Sequence, residues 1–217
     1  MVGILAEYDS RCDAGALKPD AAQRAVAARL DALAVELTAQ APAIGLLARF
    51  KKSPPTPKGL YIHGEVGRGK TTVMDLFYET VETAPKRRVH FHAFMQDVHR
   101  RLHDARQSHA QDAIAPVARA LAKEARLLCL DEMQITDIAD AMIIGRLFEG
   151  LLAAGTVIVT TSNLAPDQLY RNGLNRQLFL PFIALIAHRL DVVSLDSPTD
   201  YRLGRVKAHE TFLTPIS

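Results

Sequence analysis

The segment Gly64-Glu65-Val66-Gly67-Arg68-Gly69-Lys70-Thr71 constrains this chain more than any other. It satisfies the pattern G-x-x-x-x-G-K-[ST]. It stands between an apolar run, Gly59-Leu-Tyr-Ile-His63, and a stretch of helical periodicity from about Lys70 to Thr83. Where a strand ends in such a loop and the chain resumes as a helix, the first N–H groups of the helix have no partner within it. With roughly half a unit of positive helix-dipole charge behind them, they suit phosphate oxygens. Gly64, Gly67 and Gly69 let the backbone turn tightly and come close to a ligand. Lys70 is placed to reach the terminal phosphates of a nucleotide and the Thr71 hydroxyl to ligate Mg²⁺. Glu65, Val66, Arg68 and Thr72 complete the candidate cradle.

The rest of the chain alternates in the same way. Residues 88–94 read as a second strand, followed by a helix to about Gln107. Residues 113–125 are an Ala-rich helix with Pro116 near its first turn. Leu127-Leu-Cys-Leu130 is a third strand and Thr156-Val-Ile-Val-Thr-Thr161 a fourth. Between them lies a helix over 137–154, with Met142, Ile143, Leu147, Leu151 and Leu152 on its apolar side. Residues 166–189 read as helical with breaks near Gly173 and at Pro181, and Asp191-Val-Val-Ser-Leu195 is a fifth strand. Short apolar strands separated by helices predict an α/β fold, a parallel sheet covered on both faces. Upstream, residues 19–40 read as a helix with Asp20 as its cap. The prolines of residues 51–58 mark a linker. The expected organisation is an N-terminal helical arm (1–50), a Pro-rich linker (51–58), a core (59–205) and a tail (206–217).

The third strand ends in Asp131-Glu132. Ligands bind at the carboxyl ends of strands in such sheets, so Asp131 is a candidate Mg²⁺ ligand and Glu132 a candidate to polarise an attacking water. The fourth strand runs out into Asn163, a candidate to orient that water or sense the last phosphate, or else a turn or cap residue.

Composition narrows the classes. The chain carries 26 basic and 24 acidic residues, a net charge of +2, which falls short of a dedicated nucleic-acid binder. Mean hydropathy is +0.03, and no long uncharged apolar run suggests a membrane span. The first residues lack the basic and apolar regions of a signal peptide. Cys12 and Cys129 form no disulfide framework, which fits a reducing cytoplasm. His99 and His103 have the spacing of some zinc sites, but Arg100 and Arg101 beside them oppose a cation. His90 and His92, in an extended run, share one face and suit packing or hydrogen bonding. Lys51-Lys52, Lys86-Arg87-Arg88 and Arg100-Arg101 read as solvated surface. Gln23 is a candidate to reach a base.

The stretches GLYIHGEVGRGKTTVMDLFYE, KRRVHFHAFMQDVHRRLH, LLCLDEMQITDIADAMIIGRLFEGLL, TTSNLAPDQLYRNGLNRQLFLPFI and LDSPTDYR resemble the ZapE or AFG-like family of AAA+ ATPases. The resemblance covers about residues 15–205. It implies a P-loop NTPase core of AAA+ type with strand order 5-1-4-3-2, and ATP with Mg²⁺ as ligands. By position, Gly64–Thr71 become Walker A, Asp131 and Glu132 Walker B, and Asn163 sensor 1. Arg176 is the expected arginine finger for a neighbouring subunit, with Arg171 and Arg189 as runners-up. The resemblance further implies a cytoplasmic protein at the bacterial division site in contact with the tubulin-like FtsZ, with membrane contact at most peripheral. Family members continue beyond the DYR block into a helical lid with a second sensor, so a chain ending at Ser217 is expected to lack that lid. Three functions remain open: a Mg²⁺-dependent ATPase, a nucleotide-dependent switch or adaptor with little turnover, and a helicase-loader-like protein acting on DNA.

Overall fold

A computed structural model describes residues 3–39, 56–107 and 112–196. The expected linker falls mostly outside these, and the expected tail wholly so. The described chain runs α1 (Ile4–Asp13), α2 (Ala21–Ala39), β1 (Gly59–His63), α3 (Lys70–Thr80), β2 (Lys86–His90), α4 (Phe91–Gln107), α5 (Ile114–Glu124), β3 (Leu127–Asp131), α6 (Ile138–Ala153), β4 (Val157–Ser162), α7 (Leu180–Arg189) and β5 (Leu190–Ser194). Two single 3-10 turns, Pro166–Gln168 and Arg176–Leu178, precede α7. The strands form one parallel sheet in the order β2-β3-β4-β1-β5, which is the expected order read from the other edge.

Strand alternation builds two cores. Leu60 and Ile62 of β1, Leu127 and Cys129 of β3, and Val157 and Val159 of β4 point to one face. There they meet Ile4 and Tyr8 of α1, Val26, Leu30, Leu33 and Leu37 of α2, and Val73, Met74 and Phe77 of α3. Tyr61, Leu128, Leu130 and Ile158 point to the other face and meet α4 to α7. Successive side chains on a strand face opposite ways, so a buried run such as residues 127–130 is apolar on both faces. No described helix is long and apolar enough to cross a membrane.

Several boundaries differ from the sequence reading. The second strand stops at His90, and residues 91–94 open α4 instead. Phe91, Phe94, Met95, Val98 and Leu102 are all buried, and their spacing is that of a helix face. His92 therefore leaves the strand, and its ring pairs with Gln96 one turn on, Nε2 to Nε2 at 3.0 Å. The helical reading of residues 166–189 holds only from Leu180, since the chain before it forms no more than two 3-10 turns; the interruption read at Pro181 is the start of α7, where a missing N–H removes no intrahelical bond. Met142 is half exposed and does not join the apolar side of α6. Helix α1 was not read from the sequence. Asp20 caps α2 as expected, its Oδ1 accepting from the N–H groups of Ala22 at 2.8 Å and Gln23 at 3.0 Å.

Candidate nucleotide-binding site

β1 delivers its carboxyl end between those of β4 and β5. The loop that follows needs left-handed backbone at two places: Gly67 has φ 83° and Gly69 φ 82°. A side chain at either position would be strained. Gly69 also stands at the start of α3 with no side chain capping it, so the first N–H groups of that helix stay available. The loop is braced from three sides. Asp196 Oδ1 accepts from Glu65 N at 2.9 Å, Arg68 Nε donates to the Leu195 carbonyl at 2.9 Å, and Gln23 Nε2 donates to the Arg68 carbonyl at 3.0 Å. Gln23 thus lies against the loop itself, its amide 2.4 Å from where a Cβ on Gly69 would stand.

Lys70 is 8% exposed. Its ammonium donates to the carbonyls of Gly64 at 2.6 Å and Glu65 at 2.7 Å, and no carboxylate lies within ion-pair distance among the described residues. Burial pushes its pKa down, while Asp196 and Glu132 pull it back up. A buried cation held only by loop carbonyls is a donor set suited to an incoming anion. Thr71, at the first turn of α3, is exposed, and Thr72 is half-buried. Val66 is 83% exposed at the tip.

β3 ends on Asp131, which is buried, and the chain turns at once. Glu132 adopts φ 58° and is exposed. Its strained backbone is clipped to β4: Glu132 N donates to Thr161 Oγ1 at 3.0 Å, Met133 N to the Thr161 carbonyl at 2.7 Å, and Ser162 Oγ to the Met133 carbonyl at 2.7 Å. Asn163 follows β4 and is exposed; it lines a cavity of about 170 Å³ together with Glu132, Gln134 and Ser162. A second cavity, about 300 Å³, is lined by His90, His92, Asp131, Glu132 and Thr136. Phosphate loop, acidic pair and Asn163 therefore sit at the carboxyl ends of three neighbouring strands, β1, β3 and β4. Arg176 lies elsewhere, in the 3-10 turn before α7, its Nη2 donating to the Asp167 carbonyl at 2.6 Å and its Nε buried without a partner. Arg171 is exposed, and Arg189 Nη2 donates to the Leu152 carbonyl at 3.3 Å.

Sequence reasoning missed three contributors. Thr161 and Ser162 were read only as a strand end, yet the Thr161 hydroxyl holds Glu132 N and the Ser162 hydroxyl holds the carbonyl of the next residue, Met133. Arg88, read as part of a surface cluster, donates through Nε to Asp131 Oδ2 at 2.7 Å. The other arginines of the basic clusters on this side are also paired: Arg87, Arg100 and Arg101 with Asp97, and Arg87 and Arg101 with Glu124. His99 meets Asp140, Nε2 to Oδ1 at 2.6 Å.

The descriptive model of AFG1-like ATPases matches residues 2–217. The chain belongs to the AFG1-like ATPase family. Among curated relatives it is 40% identical over 222 residues to the cell division protein ZapE of Escherichia coli K12, covering 97% of this chain and 59% of that protein. It is 50% identical over 163 residues to lactation elevated protein 1 homolog B of Danio rerio, covering 71% of this chain and 32% of that protein. An uncharacterized protein of Schizosaccharomyces pombe, C115.02c, is 49% identical over 168 residues, 76% of this chain and 37% of that one. The chain thus spans between a third and three-fifths of the length of these relatives. Among solved structures it resembles AMPPCP-bound DnaA of Aquifex aeolicus, with TM-score 0.51 and 16% identity over 80% of this chain and 46% of that one. A DNA replication initiation factor matches with TM-score 0.52 and 17% identity, again over 80% of this chain and 46% of the other. At that identity the likeness concerns the fold, which is the P-loop AAA+ type.

Proposed function

We propose that this chain binds ATP with Mg²⁺ and hydrolyses it. The observation that carries the reading is the buried Lys70, bonded to its own loop carbonyls beneath an uncapped helix start. In this reading Lys70 turns from those carbonyls to the terminal phosphates. The loop from Gly64 to Thr72 donates its N–H groups to the phosphates, and the Thr71 hydroxyl and Asp131 hold Mg²⁺. Bound there, Mg²⁺ would withdraw charge from the phosphate oxygens. Glu132 takes the proton of an attacking water, and Asn163 orients that water. The left-handed backbone of Glu132 and its clip to Thr161 support a fixed position for that carboxylate. Arg176 is the proposed finger, supplied to the site of a neighbouring copy in a homo-oligomer. Such a residue contributes roughly 10³–10⁵ in rate where it has been measured.

For the cell we propose a cytoplasmic role at the division site, in which ATP turnover changes contacts with the division ring protein FtsZ. The name of the Escherichia coli relative and the identity over 97% of this chain support it. The test of the nucleotide reading is equilibrium binding of a fluorescent ATP analogue with Mg²⁺. Wild-type protein is expected to bind it and Lys70→Ala to lose it. Equal binding by both would remove Lys70 from the site. Binding without any phosphate release would favour a nucleotide-dependent switch.

A further inference from the structure

β2 and β3 pair in parallel with Arg88 opposite Cys129 and His90 opposite Asp131. From that position the Arg88 guanidinium spans two carboxylates. Its Nε and Nη2 donate to Asp131, to Oδ2 at 2.7 Å and to Oδ1 at 3.3 Å, and its Nη1 donates to Asp75 Oδ1 at 2.5 Å. The Asp131 side chain is 8% exposed, that of Arg88 20% and that of Asp75 43%. Asp75 lies on α3, the helix opened by the phosphate loop. One cation therefore ties the end of β3 to that helix. A two-pronged contact fixes the plane of a carboxylate as well as neutralising it. It also leaves the carboxylate with lone pairs to spare, because each ionised oxygen can accept more than one donor.

We propose that Arg88 is a positioning residue for the metal ligand: it keeps Asp131 oriented and charge-compensated in the nucleotide-free chain, so that a divalent cation enters with the nucleotide phosphates rather than alone. This rests on the reading of Asp131 as a Mg²⁺ ligand given above. The physical ground is charge. A dication approaching Asp131 also approaches the fixed positive charge of Arg88, and a unit charge several ångströms away in a partly buried site opposes its binding by about tenfold or more. The phosphates of a bound nucleotide reverse that balance. Asp75 takes part of the Arg88 charge and holds the guanidinium in line. It is therefore the element through which α3 and the metal ligand are coupled.

The experiment titrates Mg²⁺ into the full chain with a fluorescent non-hydrolysable ATP analogue and reads the Mg²⁺ concentration at half-maximal binding. Arg88→Met keeps much of the side-chain length and removes the charge. Its midpoint is expected to fall about tenfold, and Mn²⁺ alone, titrated into nucleotide-free protein, is expected to bind it more tightly than wild type. Arg88→Lys keeps the charge and loses the fork, so its midpoint stays at the wild-type value while phosphate release slows. Asp75→Asn, at a more exposed position, leaves the whole Arg88 charge bearing on Asp131 and is expected to raise the midpoint several-fold. It provides the reading if Arg88→Met fails to fold. A purely structural Arg88 would lower thermal stability in these variants without moving the Mg²⁺ midpoint. Midpoints equal to wild type in Arg88→Met and Asp75→Asn, with Asp131→Asn raised, would overturn the proposal and leave the metal reading of Asp131 intact. An unmoved Asp131→Asn would remove the metal reading itself, and the role of Arg88 with it.

Discussion

At the scale of single residues the site rests on contrasts in burial and charge. Lys70 is buried among carbonyls, while Glu132 is exposed at the end of a buried strand. Removing the Lys70 amine takes away the cation proposed for the phosphates, whereas Glu132→Gln keeps the shape of the side chain and removes its basicity. Cys129 presents the opposite case. It is wholly buried in β3, and burial pushes its thiol up to about 12. A thiol raised this far stays protonated in the folded chain at pH values where an unfolded one ionises. Its contribution to stability is therefore complete below the unfolded pKa and is lost as pH rises toward the folded value. Native protein treated with an alkylating reagent near pH 8 is expected to leave Cys129 unmodified, and urea-unfolded protein to modify it. Mass spectrometry of the digested chain reads both. Modification of native Cys129 at the unfolded rate would contradict its burial.

Elements place these residues, and here sequence and structure part company in an instructive way. The tight turn after β1 was legible because three glycines and a lysine at fixed spacing admit few other backbones, and the place of Asp131 at the end of β3 because a short apolar run before two carboxylates suits a buried strand. The start of α4 was not. Val89 to Ala93 alternates apolar and polar side chains, which fits a strand over those five residues. Only the continuation to Met95, Val98 and Leu102 reveals the helix. Arg88 was hidden for a related reason: three consecutive basic residues look like surface until the register sets Arg88 opposite Cys129, from where its side chain reaches Asp131. The clip from β4 was hidden because a threonine at a strand end is ordinary. Its removal is a test at this scale. Thr161→Val is expected to leave Glu132 N without its acceptor, to lower stability by about 1 kcal/mol, and to slow phosphate release about tenfold with little change in nucleotide affinity. Unchanged release would mean that Glu132 is held by other contacts.

Across the whole molecule the two faces of one sheet divide the work. Helix α2, which sequence alone set apart in an N-terminal arm, buries Val26, Leu30, Leu33 and Leu37 in the same core as β1 and α3, and α1 adds Ile4 and Tyr8. Gln23 of α2 and its cap Asp20 also touch the phosphate loop, through the Arg68 carbonyl and the Arg68 guanidinium. Leu30 is fully buried, so Leu30→Ala is expected to cost about 2–5 kcal/mol in a single thermal transition. Val35, 67% exposed on the same helix, is expected to tolerate the change to alanine within roughly 0.5 kcal/mol. Calorimetry of both variants checks whether α2 unfolds with the core or apart from it. A separate low-temperature transition in Leu30→Ala would make the arm an independent unit. The site, by contrast, belongs to the sheet, and its proposed chemistry requires the ends of β1, β3 and β4 together. The most direct measurement is phosphate release from purified protein supplied with ATP and Mg²⁺, wild type beside Glu132→Gln. The account predicts steady release by wild type and loss of nearly all of it in the variant, with ATP still bound. Equal release by the two proteins would contradict the assignment of Glu132 and the site built around it.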